Sequence, residues 1–300
     1  MNKFAAVASL LFLLPGRPLA QELEPGAYWP IPTGLNIVTV VNSFNWGDMA
    51  FDPAAPIDEA TATINTTAFS FTRAFGLAGR SANAGIAVPV VGGHVEGLYL
   101  GEAADVDRFG LGDPRLRLAV NLYGAPAMVP KSFASYQQRT LVGVSVTVAP
   151  PLGEYDSAKL INLGTNRWSF KPELGVSKAW GPLTFELATG VRFYTDNNDF
   201  LDGKTLQVKP IYSVQGHLIY SVAPGIWLGL DALYYTGGRA IIDGRKGQSL
   251  ENARIGLTVA LPINRYNSVK LYGSTDVYSK TRSKFDVLGI VWQVRWGGGL

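Results

Sequence analysis

Apolar and polar residues alternate along most of this chain. Leu116, Leu118 and Val120, for example, alternate with Arg117 and Ala119. A period of two is typical of a β-strand whose two faces meet different surroundings. The most regular segments are 115–123, 142–148, 183–193, 254–261 and 288–296, and weaker ones are 35–45, 62–75, 81–100, 165–178, 206–221, 224–236 and 267–277.

In these segments one face is almost purely apolar, and the other carries small, polar and charged residues. A segment of roughly 10 residues is long enough for a strand to cross a bilayer. Soluble sandwiches have shorter strands and bury the inner faces of two sheets. The pattern therefore predicts an all-β fold, a transmembrane antiparallel up-and-down β-barrel of about 12 strands that occupies residues 35–300.

The connections between the segments alternate in length. Tight turns are expected at 180–182, 223–225 and 262–267, and short periplasmic turns opposite long outer loops are typical of outer-membrane barrels. One connection, 124–138, is long although it falls on the short-turn side, and we expect it to form a small periplasmic plug or lid. The longer connections are 46–61, 101–111, 151–164, 195–205, 237–249 and 278–284.

The N-terminus has the layout of an export signal. Lys3 precedes an apolar run at 5–14, and Ala20 is a small residue at the expected cleavage position. This layout predicts a cleaved signal peptide at 1–20, with an N-terminal anchor helix as the alternative. Residues 21–34 would then form an N-terminal periplasmic segment.

Composition and charge narrow the classes of protein. Charged residues make up 16% of the 300 residues, which argues against disorder, and cysteine is absent. Disulfides, thiol catalysis and zinc–thiolate sites are therefore excluded, and export without cysteine indicates a bacterial envelope protein. Without Lys3 and Arg17 of the signal, 24 basic residues stand against 23 acidic ones, so the charge does not indicate a nucleic-acid partner. We expect the cell outer membrane of a Gram-negative bacterium.

Five short motifs of the chain are informative when taken together. They are Glu-Pro-Gly-Ala-Tyr-Trp at 24–29, Gly-Leu-Gly-Asp-Pro at 110–114, Asn-Leu-Tyr-Gly-Ala-Pro-Ala at 121–127, Pro-Leu-Gly-Glu-Tyr at 151–155 and Lys-Leu-Ile-Asn-Leu-Gly-Thr-Asn-Arg-Trp-Ser-Phe-Lys-Pro-Glu-Leu-Gly at 159–175. With these motifs the chain resembles the family of outer-membrane transporters named for the MetA pathway of phenol degradation. This resemblance implies an outer-membrane barrel associated with the catabolism of aromatic compounds. The chain departs from the usual aromatic end of such barrels, because Gly-Gly-Gly-Leu follows Trp296.

No catalytic residue, metal ligand or cofactor is expected. A lipid-cleaving site would need a lipid-facing histidine and hydroxyl, but His217 falls on the predicted inner face and no Gly-x-Ser-x-Gly motif occurs. Asp105, Asp107 and the acids at 196–199 lack the glycine and distal glutamate of a calcium loop, so we interpret them as solvated loop acids. His94 follows two glycines and is interpreted as a residue at a strand kink or at the rim.

The inward face supplies the candidate pore-lining residues. They can brace the barrel as interstrand ion pairs, or form a polar conduit whose field selects solutes, and both interpretations can hold for the same residues. A barrel of about 12 strands lies between filled small barrels and open porins, so a narrow lumen is expected. The candidates are Arg115, Arg117, Lys171, Glu173, Glu186, Arg192, Lys209, His217, Asp231, Arg254 and Arg295.

These observations favour a monomeric channel or transporter through which small organic solutes, aromatic compounds among them, pass passively. Its partners would be the solute, the lipid bilayer and the outer-membrane assembly machinery. Arg115, Arg117 and Arg192 predict a preference for anionic or polar aromatic solutes, since a guanidinium binds carboxylates well. Two alternatives are a lipid-acting outer-membrane enzyme and a structural or adhesive barrel whose loops bind a partner.

Overall fold

The computed structural model describes residues 23–48, 57–99, 102–159, 161–201, 203–281 and 283–299. The signal peptide predicted at 1–20 lies outside these residues. No helix in the described ranges is long and apolar enough to cross a membrane.

Antiparallel strands of 9 to 21 residues form one large sheet. Four shorter strands form a second sheet, and a single turn of helix, α1 (Pro130–Phe133), follows the fifth strand. The strands of the large sheet are β1 (Leu35–Asp48), β2 (Ile57–Leu77), β3 (Arg80–Tyr99), β4 (Glu102–Leu111), β5 (Arg115–Tyr123), β6 (Thr140–Ala149), β7 (Ser169–Trp180), β8 (Leu183–Tyr194), β11 (Ile211–Ala223), β12 (Ile226–Gly237), β15 (Leu250–Pro262), β16 (Asn267–Ser279) and β17 (Phe285–Gly297). Those of the second sheet are β9 (Asn197–Phe200), β10 (Lys204–Val208), β13 (Ala240–Ile242) and β14 (Arg245–Lys246).

The large sheet closes on itself, because β1 pairs with β17 on one side and with β2 on the other. β5 pairs with the first part of β3 at 82–87, and β4 pairs with the remainder at 90–99, so β4 and β5 share one position in the ring. The result is a closed antiparallel barrel of twelve strand positions. The predicted all-β up-and-down barrel of about 12 strands is confirmed.

Strand boundaries differ from the prediction mainly at the outer end. The expected loop 101–111 is strand β4, which pairs with the far half of the unusually long β3. The acidic residues of β4 are typical of a loop, so the strand is recognised only from its pairing with β3. The segment predicted at 206–221 is divided by Lys209 and Pro210, since proline has no N–H to donate within a sheet.

The outward face is an apolar band. Leu187, Leu257 and Trp292 are 47%, 64% and 48% exposed, whereas the inward neighbours Glu186 and Thr258 are 7% and 5% exposed. Lipid-facing apolar residues that alternate with inward polar ones are the mark of an outer-membrane barrel. The predicted location in the outer membrane is thereby confirmed.

One end of the barrel carries tight turns. β2 and β3 are joined by Ala78 and Gly79, both with positive φ (47° and 74°), as a two-residue hairpin turn requires. The turns at Gly181 and Gly225 are equally short. The tight turns predicted at 180–182, 223–225 and 262–267 are all present at this end.

The second sheet lies at the opposite end of the barrel. The expected loop 195–205 contains β9 and the start of β10, the rest of β10 falls in the segment predicted at 206–221, and the expected loop 237–249 contains β13 and β14. Phe200, Leu206 and Ile242 of this sheet belong to one buried apolar cluster. These strands have at most five residues, too short for a hydrophobic period to be recognised from sequence.

The register of the barrel can be tested with nitroxide side chains. Labels at Leu187→Cys and Leu257→Cys should be relaxed by oxygen, which concentrates in lipid, and little by a water-soluble nickel chelate. Labels at Glu186→Cys and Thr258→Cys should show low oxygen accessibility in the same electron paramagnetic resonance measurement. The reverse pattern would indicate a one-residue register error, because a slip of one residue exchanges the two faces.

Candidate functional site

The first described residues, 23–34, lie inside the barrel, and we call them the lumen segment. The Glu24 backbone N–H donates to Gln215 Oε1 at 3.3 Å, and the Gly26 N–H donates to Glu186 Oε2 at 2.8 Å. A periplasmic segment is predicted at 21–34, whereas the described part of this segment enters the lumen. Inward-facing side chains of the wall hydrogen-bond its backbone groups, which would otherwise be buried without partners.

Tyr28 holds the lumen segment against the wall. Its ring lies over Gly143 of β6 and Gly175 of β7, which face each other directly in the sheet. A side-chain carbon on either glycine would overlap the tyrosine ring. Both glycines have ordinary backbone conformations, so the space they leave is what the ring requires. We call this pair the glycine cradle.

The hydroxyl of Tyr28 reaches the next cross-strand pair on the inner face, Ser145 with Glu173. It donates to Glu173 Oε1 at 2.8 Å and lies 3.3 Å from Ser145 Oγ. The guanidinium carbon of Arg117 lies 5.7 Å from the ring centroid, within the range of a cation–π contact. Tyr28 is 7% exposed. The phenol ring therefore has a shaped floor, a charged hydrogen-bond acceptor and a cation over its face.

Trp29 anchors the segment at a second point. Its indole Nε1–H donates to Glu186 Oε1 at 2.5 Å, and the same carboxylate oxygen accepts a bond from Ser177 Oγ at 3.2 Å. The ring packs edge-on against Trp227, with centroids 5.7 Å apart. Glu186 thus binds both a backbone and a side-chain donor of the lumen segment.

The lumen segment runs along much of the length of the barrel. Near the tight-turn end, the Gly34 N–H donates to the carbonyl of Ala74. Towards the other end, Leu23 packs against the cluster that contains Ile211, Tyr235 and Leu250. The lumen segment therefore occupies part of the interior from one end towards the other.

Five of the eleven predicted inward residues form ion pairs within the wall. Lys171 Nζ lies 2.8 Å from Glu173 Oε2, and His217 Nδ1 lies 2.7 Å from Asp231 Oδ1. Arg254 binds Asp276 through two bonds of 3.0 Å. These pairs agree with the bracing interpretation, because buried charges need partners.

The remaining candidates occupy different environments. Arg192 is buried and its Nη1 lies 3.4 Å from Ser169 Oγ, while Arg115 is partly buried at the start of β5. Lys209 and Arg295 are exposed at the two ends of the barrel wall. The pore-lining role of the eleven candidates stays a prediction.

Tyr28, Trp29 and the glycine cradle are not among the residues predicted from the sequence. Tyr28 and Trp29 precede the first strand, where no periodic pattern assigns them a face. Gly143 and Gly175 belong to the small, polar face of their strands, but their opposition depends on the register between β6 and β7. The only signals in the sequence are the aromatic pair Tyr28 and Trp29 and the glycines on the predicted inner face of β6 and β7.

The segment 124–138 lies at the tight-turn end. The Ala127 N–H donates to Gly79 O at 2.9 Å, and the Thr33 N–H donates to Met128 O at 2.7 Å. The segment thus contacts both a hairpin turn and the last residues of the lumen segment. Its role as plug or lid stays a prediction.

A separate polar group lies on the outward side of the β3–β4 hairpin. His94 Nδ1 and Asp107 Oδ1 are 2.8 Å apart, and possible ligand atoms of His94, Asp105 and Asp107 lie within 4.8 Å of one another. The two acids were interpreted as loop residues but lie on β4. His94 is 14 residues beyond Arg80, more than the roughly 9–11 residues that a strand needs to cross the bilayer. All three side chains are exposed, and such ligand types can accept divalent metals.

Comparisons with known proteins agree with this architecture. A family model described as "Putative MetA-pathway of phenol degradation" matches residues 40–290, which confirms the resemblance stated above. The structure is similar to that of the COG4313 outer membrane channel from Pseudomonas putida F1, with a TM-score of 0.76 and 21% identity over 92% of this chain and 100% of that chain. The CymD monoaromatic hydrocarbon channel gives a TM-score of 0.46 and 10% identity over 89% of each chain. A search of curated proteins finds no match.

Filling the glycine cradle should release the lumen segment. In Gly175→Ala the new methyl group overlaps the Tyr28 ring, so the charge-assisted bond to Glu173 is lost at a cost of about 1.5–3 kcal/mol. Amide hydrogen exchange in residues 24–33 should become about tenfold faster or more. Gly229→Ala is the matched control, because its new carbon would meet Trp227 and Asp231 at ordinary distances of 3.4 and 3.5 Å. Equal exchange in the two variants would contradict the fit.

His94 should titrate above its ordinary pKa. The hydrogen bond that the protonated His94 ring donates to the Asp107 carboxylate raises the pKa of His94 above 6.5, and the charges of Asp107, Glu96 and Asp105 act in the same direction. A group whose folded pKa is raised contributes stability that is fully present below the unfolded pKa and lost as pH rises through the folded pKa. Histidine NMR signals should therefore give a raised midpoint for His94, and Asp107→Asn should lower it. A midpoint unchanged by that substitution would contradict the assignment.

Proposed function

The chain belongs to the family described as "Putative MetA-pathway of phenol degradation", and we propose that it is an outer-membrane channel through which small organic solutes, aromatic ones among them, pass passively. One observation carries this proposal. A separate segment lies in the interior of the barrel, where a few hydrogen bonds and two aromatic rings hold it in place. A segment held in this way can be displaced, whereas a packed side-chain core cannot.

The wall beneath the lumen segment suits solutes with an aromatic ring and a polar group. Trp227 and Tyr235 offer ring faces and edges, while Glu173, Glu186 and Arg117 offer charged partners. Conduction requires contacts that are favourable enough to admit a solute and weak enough to release it. Several separate polar contacts along the lumen meet both requirements better than one deep site.

The ring of strands closes within one chain, so no second copy is needed to complete the wall. This supports the expected monomer. Insertion by the outer-membrane assembly machinery stays a prediction.

The geometry gives little support to a lipid-acting enzyme. His217 is 3% exposed and faces the lumen, where its Nδ1 is paired with Asp231. Among the described residues, His217 Nε2 has no hydrogen-bond partner, and thus no hydroxyl nucleophile. Thr258, the nearby hydroxyl, donates to Asp231 Oδ2 at 2.7 Å. An adhesive role for the outer loops has no specific observation in its favour.

The channel proposal is tested by release of a solute from liposomes. 4-Hydroxybenzoate is suitable because its charge slows passage through lipid. Liposomes that contain the refolded protein should release it at least about tenfold faster than protein-free liposomes, and should retain sucrose as the size control. Release no faster than from protein-free liposomes would contradict a channel role.

The arginines near the outer end of the wall should favour anions. Arg115→Gln combined with Arg192→Gln should lower the anion-to-cation permeability ratio by about two- to fivefold, because two positive charges leave a poorly screened lumen. The ratio is read from reversal potentials across a planar bilayer under a salt gradient. Arg265→Gln, at an exposed turn where the guanidinium stacks on Tyr266, is the control and should leave the ratio unchanged. An unchanged ratio in the double variant would assign Arg115 and Arg192 to bracing.

A further inference from the structure

The glycine cradle has the features of a binding site for a phenol. The cradle pair, Gly143 with Gly175, is followed on the same inner face of β6 and β7 by a second cross-strand pair, Ser145 with Glu173. The first pair removes two side chains to make room for a flat ring, and the second places a hydroxyl and a carboxylate at the edge of the ring. Ser145 and Glu173 are 8% and 7% exposed, so the hydroxyl group is received in a buried environment.

The present occupant of this site is the side chain of Tyr28, which is itself a phenol with a substituent in the para position. Its hydroxyl donates to Glu173 at 2.8 Å, and Lys171 lies 2.8 Å from the other oxygen of the same carboxylate. Arg117 covers the ring at 5.7 Å. The Glu173 and Arg117 contacts are made to the phenol group and would serve a free phenol of the same shape, whereas Lys171 pairs with the carboxylate that receives the hydroxyl.

We infer that the glycine cradle is the solute-binding site of the lumen and that Tyr28 is a resident ligand that a para-substituted phenol displaces. The inference rests on the proposed channel function and names its solute class. A solute that takes the cradle removes the Tyr28 contacts from the lumen segment and leaves its remaining contacts, among them those with Glu186 and Gln215. Binding of the solute and loosening of the lumen segment then occur together.

Competition with a tethered ligand has a measurable consequence. Tyr28 is part of the same chain, so its effective concentration at the cradle is in the millimolar range or higher. A free phenol must overcome this competition in the wild-type protein. Removing the tyrosine ring should therefore strengthen phenol binding, whereas removal of an ordinary packing residue would not create a site.

The test uses 4-fluorophenol and fluorine NMR on the refolded protein in detergent micelles. Tyr28→Ala should bind 4-fluorophenol at least tenfold more tightly than the wild type. Adding Gly175→Val to Tyr28→Ala should return binding to the wild-type level, because the valine fills the floor of the cradle. Tyr28→Phe, which retains the ring and loses the hydroxyl, should give an intermediate affinity. Fluorobenzene, which lacks the hydroxyl, should not distinguish the variants and reports partition into the micelle.

Two results would overturn the inference. One is equal affinity for 4-fluorophenol in the wild type and Tyr28→Ala, both showing the heat-modifiable mobility of a folded barrel. The other is undiminished binding in Tyr28→Ala combined with Gly175→Val. If the Tyr28→Ala barrel does not fold, equal affinity for 4-fluorophenol in Tyr28→Phe and the wild type would overturn the inference instead.

The solute-release experiment separates this inference from the channel proposal. Release of 4-hydroxybenzoate by the wild type without cradle-dependent binding would leave a channel and remove the phenol site. Cradle-dependent binding without release, in both the wild type and Tyr28→Ala, would leave the site and remove the channel.

Discussion

Backbone hydrogen bonding in a medium without water is the constraint on which this structure depends. Within lipid an unpaired N–H or C=O costs several kcal/mol, so a sheet that crosses the bilayer cannot keep open edges. The pairing of β1 with β17 removes the last two edges. The apolar outer band places the closed ring in lipid, and the tight turns at one end join neighbouring strands of the ring.

Closure of the ring also leaves an interior space whose charged groups need partners. A ring of twelve strand positions encloses more space than its own side chains fill, and part of that space is lined with charged groups. Buried charges require partners. The wall meets this requirement partly within itself, as in Lys171–Glu173 and Arg254–Asp276, and partly through the lumen segment, whose donors bind Glu173 and Glu186.

The same wall residues hold the lumen segment and can bind a solute. The carboxylates that hold the lumen segment are also the groups best placed to receive a polar solute. A hydrogen bond to an ionised group contributes about 1.5–3 kcal/mol, strong enough to keep a segment in place and weak enough to exchange for a similar ligand. If dispersion contacts alone held the lumen segment, a polar solute could not compete for the same hydrogen-bonding groups.

The sequence by itself determined the barrel. The period of two along segments such as 142–148 and 183–193 depends on neighbouring residues only, so it could be recognised without knowing which strands pair. The same local alternation assigned Glu173, Glu186 and His217 to the inner face. Strand β4 and the second sheet escaped it because their residues are too polar or their strands too short to show a period.

Only the tertiary structure decided what occupies the lumen. Tyr28 meets Gly143 and Gly175, which lie more than a hundred residues along the chain, and no local pattern encodes that distance. The cradle exists because the register of β6 against β7 places two glycines face to face. Register is set by the packing of the whole ring, and the partners of an irregular segment are set by the space that the ring leaves.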